Sequence, residues 1–262
     1  MSDTAHEDPV IGVAIGNTRA RWGLLRGDEL DDVGSAPAGR PDEIAAGVLA
    51  LSDASPELAI LVAGVNPPAA DALVAAIEDA SPPRVVLLVG EDIGIPLRHA
   101  LDDASTLGQD RALCALAAHS RAGQACVVVD AGTAITVDFV DGEGVFQGGV
   151  IAPGLNMMLR AMHEHTAALP LIDFELPDEA RGPFGRDTRH AMLLGVRDAA
   201  RGLVRHVVER YADHYGAYPQ VIATGGDAPA LFEGDGLVEH IVPDLQLLGV
   251  AKVWASRADG EE

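Results

Sequence analysis

One pattern occurs twice along this chain, and it restricts the possible folds more than any other feature. Val10-Ile11-Gly12-Val13-Ala14-Ile15 is apolar and β-prone, and it runs into the turn residues Gly16-Asn17-Thr18. Ala20, Trp22 and Leu24 then alternate with Arg19, Arg21 and Gly23. An apolar run, a Gly/Asn turn and a strand of period two predict a β-hairpin with one polar face. The same order returns at Cys126-Val127-Val128-Val129-Asp130, with Ala131-Gly132-Thr133-Ala134 as the turn and residues 135–140 as the second strand. The repetition points to an internal duplication; the alternative is two unrelated hairpins.

Between the copies, residues 41–51 and 68–80 read as helices, each ahead of an apolar strand at Leu58 to Val62 and at Val85 to Val89. Asp110 to Ala118 reads as another helix. Beyond the second hairpin, turn signals at Asp141-Gly142 and Glu143-Gly144 precede strand residues at Phe146 to Ile151. Asp187-Thr188 caps a long helix with Met192, Val196, Ala199, Leu203, Val207 and Tyr211 at helical spacing. Val221 to Thr224 is a strand ending in Gly225-Gly226. The expected organisation is a flexible tail over 1–9, one α/β half over 10–120 and a second over 121–262. The best boundary candidate lies near residues 118–124.

Charge and composition exclude several classes. The 262 residues carry 40 acidic against 18 basic side chains, a formal net charge of -22. A nucleic acid or an anionic membrane needs a basic face, so neither is an expected partner. No apolar run is long enough to span a bilayer, and the first residues lack a basic signal region, so a cytoplasmic location is expected. Cys114 and Cys126 read as core thiols. Lys252 is the only lysine, which excludes a GxxxxGK[ST] phosphate loop and a protein-kinase fold. Any nucleotide phosphates must be met by backbone amides, hydroxyls, arginines and a metal.

Several residues have the chemistry for that task. Gly16-Asn17-Thr18 and Gly132-Thr133-Ala134 are either plain structural turns or phosphate-binding ones, where glycine allows close approach and consecutive N–H groups donate. Asp110, in Gly108-Gln109-Asp110-Arg111, is either a helix cap or a general base beside an arginine that grips a carboxylate. Asp130 and Asp138 flank the second turn; Asp130 is the better cation ligand, for Mg²⁺ or a monovalent ion, and Asp138 reads as a solvated strand residue. His163-Glu164-His165 would point its imidazoles apart on a helix, against a metal site. Trp22 and Trp254 read as packing residues, and His206 and His214 as surface or boundary ones.

Taken in order, these motifs resemble those of the type III pantothenate kinases. Residues 14–23, A-I-G-N-T-R-A-R-W-G, resemble the family's opening D-x-G-N-T, and Gly108-Gln109-Asp110-Arg111 resembles its G-x-D-R. Asp130-Ala131-Gly132-Thr133-Ala134 with Thr136 resembles D-x-G-T-A-x-T, and Gly148-Gly149, Ile151, Pro153 and Gly154 resemble G-G-x-I-x-P-G. Leu169-Pro170, Gly185 with Thr188, and Thr224-Gly225-Gly226 continue the series. The resemblance implies an α/β protein with a duplicated actin-like (ribonuclease H-like) ATPase fold, two similar halves with mixed sheets flanked by helices. It implies a homodimer that phosphorylates pantothenate with ATP, the first step toward coenzyme A. By position, Asp110 is the base; Gly108, Gln109, Asp110, Arg111 and Thr188 hold pantothenate. Ala14, Ile15, Gly16, Asn17, Thr18, Arg19, Ala20, Arg21, Gly132 and Thr133 hold ATP. Asp130 takes a monovalent cation, K⁺ or NH₄⁺, beside the Mg²⁺ that accompanies ATP.

Three departures accompany the resemblance. Ala14 stands where the family has Asp, Leu101 is the nearest counterpart of a usual Tyr, and Asp187 stands where Asn is usual. Loss of the carboxylate at position 14 is expected to weaken activity. The competing expectation is a catalytically degenerate homologue that still binds ligand and acts in regulation. Ala14 favours that reading; Asp110, Arg111, Asp130 and Thr133 favour the enzyme.

Overall fold

The computed structural model describes residues 8–79 and 83–257, and the chain divides into two compact units. The first comprises Met1–Arg121 with Asp244–Glu262; the second is Ala122–Pro243.

In the first unit, β1 (Val10–Ile15), β2 (Arg19–Arg26) and β3 (Glu29–Pro37) form an antiparallel meander. The chain passes through α1 (Pro41–Ala54) to β4 (Ile60–Gly64), which pairs parallel with β1. It continues through α2 (Pro67–Glu78) to β5 (Val86–Leu88), parallel to β4. The sheet order is β3-β2-β1-β4-β5. Because β1 is central and covered on both faces, its whole length is buried, and its alternate residues feed two cores. Ile11, Val13 and Ile15 pack with Ile44 and Val48 of α1 and Leu73 and Ile77 of α2. Val10 and Ala14 on the opposite face join Leu61 and Ala63, with Leu113 of α3 (Gln109–Ala122) and Leu247, Val250 and Val253 of α7 (Leu245–Ser256). Trp22 is a packing residue, 8% exposed, seated against Gly34 and Gly47, where any Cβ would strike its ring.

A two-residue strand, β6 (Arg98–His99), precedes α3. The second unit then repeats the topology. β7 (Cys126–Ala131), β8 (Ala134–Val140) and β9 (Val145–Pro153) form the meander. After α4 (Leu155–Glu164) and α5 (Thr188–Tyr215), β10 (Gln220–Thr224) pairs parallel with β7. α6 (Ala228–Phe232) leads to β11 (His240–Ile241), parallel to β10. Within this unit the strand order is β9-β8-β7-β10-β11, which matches β3-β2-β1-β4-β5 of the first unit strand for strand. Val127, Val129, Ala131 and Val137 face Leu159 of α4 and Val196, Val204 and Val208 of α5. Helix α5 starts where the sequence predicts: Asp187 caps it by accepting the His190 N–H at 2.8 Å, and Gly216 ends it in a left-handed conformation.

Three expectations need correction. The last helix does not belong with the second half: α7 packs its apolar face against β1 and β2, so the first unit regains the chain at residue 244. The first hairpin is extended by a third antiparallel strand, β3, which its slight burial and polar sequence leave unmarked, whereas β9 lies over the expected Phe146 to Ile151. Asp138 is not solvated. It is 1% exposed on β8, which β7 and β9 flank, and Gly149 opposite it leaves room that a Cβ would remove. The expected flexible tail lies, through residue 7, outside the described residues.

Candidate active site

In the first unit the predicted site residues share one edge of the sheet; in the second, Asp130, Gly132 and Thr133 lie together, and Thr188 is the first residue of α5. In the first unit, the β1–β2 turn closes through the Gly16 N–H, which donates to the Arg19 carbonyl at 2.9 Å, and leaves Asn17, Thr18 and Arg19 exposed at the carboxyl end of β1. Helix α3 begins at the same edge of this sheet. Gln109 fixes it there: its Oε1 accepts the Gly64 N–H at the end of β4 (3.2 Å), and its Nε2 donates to the Val89 carbonyl just past β5 (2.8 Å). Gly64 is in turn registered with Ile15 of β1. The Gln109 side chain is therefore a positioning group whose amide is occupied by backbone.

That anchorage sets Asp110 and Arg111 in the first turn of α3, both half-buried. Asp110 Oδ1 accepts the Arg111 N–H at 2.8 Å, which leaves Oδ2 without a partner among the described residues. The carboxylate thus has one oxygen fixed by backbone and one open to take a proton. Gly108 lies close beside it: a Cβ there would come within 2.5 Å of Asp110 Oδ1.

In the second unit, three glycine-bearing loops converge on the end of β7. The β7–β8 turn closes through the Gly132 N–H and the Ala134 carbonyl (3.0 Å), with Thr133 exposed at its tip. Gly154, between β9 and α4, donates to the Thr133 carbonyl at 3.1 Å; a Cβ on it would lie 2.1 Å from the Gly132 oxygen. Gly225, after β10, has φ +92°, and a Cβ there would meet the Ala131 oxygen at 2.3 Å and Asp130 Oδ1 at 2.5 Å. Backbone approaches this close admit only glycine, and they bring peptide groups around one carboxylate.

Asp130 is half-buried at the centre of this arrangement, registered against Thr136 of β8 and the buried Thr224 of β10. Among the described residues no group of three His, Cys, Asp or Glu side chains is disposed to hold a metal. One carboxylate beside the hydroxyl-bearing Thr136 and Thr224 has the donor chemistry for a hard cation completed by ligand phosphates and water, and not for zinc. Asp227, two residues beyond Gly225, donates its N–H to the Ala131 carbonyl at 2.9 Å, and burial pushes its carboxyl above the usual value. Thr188 opens α5, exposed, directly after the capping Asp187. Arg181 and the His190 N–H hold Asp187 itself below the usual carboxylate range, the backbone bond being the larger cause.

Comparison with known proteins decides the family. Residues 10–210 match the family model of the type III pantothenate kinases. The chain belongs to that family. It is 31% identical to a type III pantothenate kinase of Dehalococcoides mccartyi, covering 97% of this chain and 98% of the relative. A stretch of 150 residues is 42% identical to the type III pantothenate kinase of Acidiphilium cryptum, covering 57% of this chain and 55% of the relative. Over that stretch, the chain spans about half the length of the relative it matches. The fold is similar to that of a Campylobacter jejuni protein of the Baf transcriptional-activator family (TM-score 0.59, 19% identity, 97% and 100% of the two chains). It is also similar to the activator of 2-hydroxyisocaproyl-CoA dehydratase from Clostridium difficile (TM-score 0.54, 12% identity, 97% and 98%). These neighbours and the repeated strand order identify a duplicated actin-like ATPase fold.

For a type III pantothenate kinase, the position of Ala14 is the sharpest departure. It is 5% exposed, packed among Val10, Leu113 and Leu247, and registered opposite Arg21. Sequence reasoning alone does not single out Gly154 and Gly225 as contacts of the Asp130 turn, nor Asp227 and Asp244. The signal for the glycines lay in the Pro-Gly and Gly-Gly that end two strands; for the acids there was none. Among the described residues no helix is long and apolar enough to cross a membrane.

Proposed function

We propose that this chain transfers the γ-phosphoryl group of ATP to pantothenate, giving 4'-phosphopantothenate. The observation that carries the reading is Asp110, set by Gln109 at the carboxyl edge of the β1 sheet with one carboxylate oxygen open. In the reaction the pantothenate hydroxyl oxygen attacks the γ-phosphorus as its proton passes to Asp110. The bond from phosphorus to the β–γ bridging oxygen breaks, and ADP leaves. Arg111 pairs with the substrate carboxylate, with Gly108 and Thr188 completing the acceptor site. Residues 14–21 and the turn at Gly132 and Thr133 hold the nucleotide. Mg²⁺ travels with ATP, and Asp130 binds a monovalent cation, K⁺ or NH₄⁺; both neutralise phosphate charge where lysine is missing.

The same reading includes a cytoplasmic homodimer. The second unit exposes Ile151, Met157, Leu171, Leu176 and Phe184, at 46% to 74%, along β9, α4 and the connection over 165–187. Five large apolar side chains exposed within residues 151–184 of a chain of net charge -22 suit a self-contact. Light scattering at micromolar concentration tests it: the expected mass is twice 27.2 kDa, and Phe184→Glu is expected to halve it.

The activity is tested by following pantothenate-dependent ADP release with Mg²⁺, with and without K⁺. Turnover in wild type that Asp110→Asn abolishes supports the reading. Ala14 favours one competing reading, a degenerate homologue that binds ligand without turnover, and an inactive wild type that still binds ATP would establish it.

A further inference from the structure

The nucleotide side of the proposed site lacks lysine. Lys252, the only one in the chain, pairs with Asp28 at 2.6 Å. Arg19, which closes the first turn, donates Nη2 to Ser35 Oγ at 2.9 Å, and Arg21 is the next cation along β2. It lies on β2 directly opposite Ala14, and opposed residues of an antiparallel pair share a face. Its guanidinium is gripped along one edge by Asp244: Nη2 donates to Oδ2 at 2.8 Å, and Nε pairs with Oδ1. Arg21 has no other partner among the described residues, so its Nη1 edge stays open, and the side chain is 45% exposed.

Asp244 is built for that grip. Its side chain is 8% exposed. Its backbone sits at φ 56°, and Asp32 is the other residue besides glycine with positive φ among those described. It stands at the N-cap position of α7, yet its carboxylate caps nothing. An aspartate at a helix start normally accepts an N–H of the first turn; here that role is given up and a left-handed backbone is tolerated. Both oxygens face Arg21 instead.

We propose that Asp244 is a positioning residue of the nucleotide site: it clamps one edge of the Arg21 fork and turns the other toward the ATP phosphates. The inference rests on the assignment of residues 14–21 to the nucleotide. A free arginine on an exposed strand samples many rotamers, whereas one held bidentately on a buried carboxylate presents its remaining N–H groups in one plane. The carboxylate also holds the guanidinium in place before the anion arrives, which lowers the ordering cost of binding.

Titration calorimetry with Mg·ATP and with AMP separates this role from a structural one. Asp244→Asn keeps the side-chain volume and suits a left-handed backbone, but removes the charge. ATP affinity is expected to fall about tenfold, AMP affinity to stay within a factor of about two, and the melting temperature to change little. In Arg21→Ala the Asp244→Asn change is expected to have no further effect on ATP, because the clamp has nothing to hold. Equal weakening for ATP and AMP, or additive losses in the double variant, would overturn the proposal. The readout is ATP binding, so a wild type that binds ATP yet leaves pantothenate unphosphorylated removes the acceptor assignment alone. A wild type that binds no ATP overturns both.

Discussion

Gly154→Ala tests whether the glycine loops around Asp130 form part of the machinery. The added methyl would lie 2.1 Å from the Gly132 oxygen and 2.5 Å from the Thr133 oxygen, and both are backbone atoms of the turn assigned to ATP. Neither can rotate away, so the turn must retreat by about 1 Å to reach an ordinary contact. A misplacement of that size costs on the order of 100-fold in rate, or about 2.7 kcal/mol of transition-state stabilisation. Overpacking a closed site costs about 1–3 kcal/mol of stability, which lowers Tm by roughly 2–4 °C per kcal/mol in a chain of this length. The assay is kcat/KM for ATP with a parallel thermal melt, beside Gly39→Ala, where nothing lies within 4 Å of the new Cβ. A lower Tm with kcat/KM within about twofold of wild type would refute the placement of this turn in the site. An unchanged Tm would refute the packing argument itself.

Three further outcomes follow from single groups. Asp187→Ala removes the cap of α5 and is expected to lower Tm by a few degrees at pH 7. Its folded pKa is depressed, so its contribution is present above the unfolded value of 3.8 and lost as pH falls through the folded value; the melts of variant and wild type should converge in acid. Asp227 has the opposite sign: burial raises its folded pKa, so the ionised form destabilises the fold above that pKa and the cost vanishes as pH falls toward 3.8. Asp227→Asn should therefore raise Tm at pH 7, with the gain closing in acid. Gly202→Ala, on α5 with open space around the new Cβ, should stabilise by about 0.5–1 kcal/mol, read as a higher denaturation midpoint.

Much of this was legible in the residues because local chemistry agreed with the final fold. The hairpin at residues 10–25 and its echo at 126–140 were visible because burial imposes period two on one strand and a continuous apolar run on the other. The cap at Asp187 was visible because capping is local. The misreadings are non-local. Asp138 looks like a surface acid until Gly149 is placed opposite it, which only strand register reveals. Helix α7 looks like part of the second half until Leu247 and Val250 are seen against Val10 and Ala14, more than 200 residues earlier in sequence. The positioning role of the Gln109 side chain is non-local as well. Nothing in Gly108-Gln109-Asp110-Arg111 shows that its amide bridges two strand ends. The clamp between Arg21 and Asp244 joins residues 223 positions apart and was equally invisible.

The central claim is that Asp110 on this scaffold accepts the pantothenate proton although position 14 carries no carboxylate. ATP- and pantothenate-dependent formation of 4'-phosphopantothenate, measured with Mg²⁺ and K⁺ in wild type, Asp110→Asn and Ala14→Asp, tests it most directly. The account predicts clear wild-type turnover and at least a 100-fold loss in Asp110→Asn, as expected for removal of a general base. No turnover in wild type, with activity appearing in Ala14→Asp, would contradict it and mark the chain as a decayed kinase.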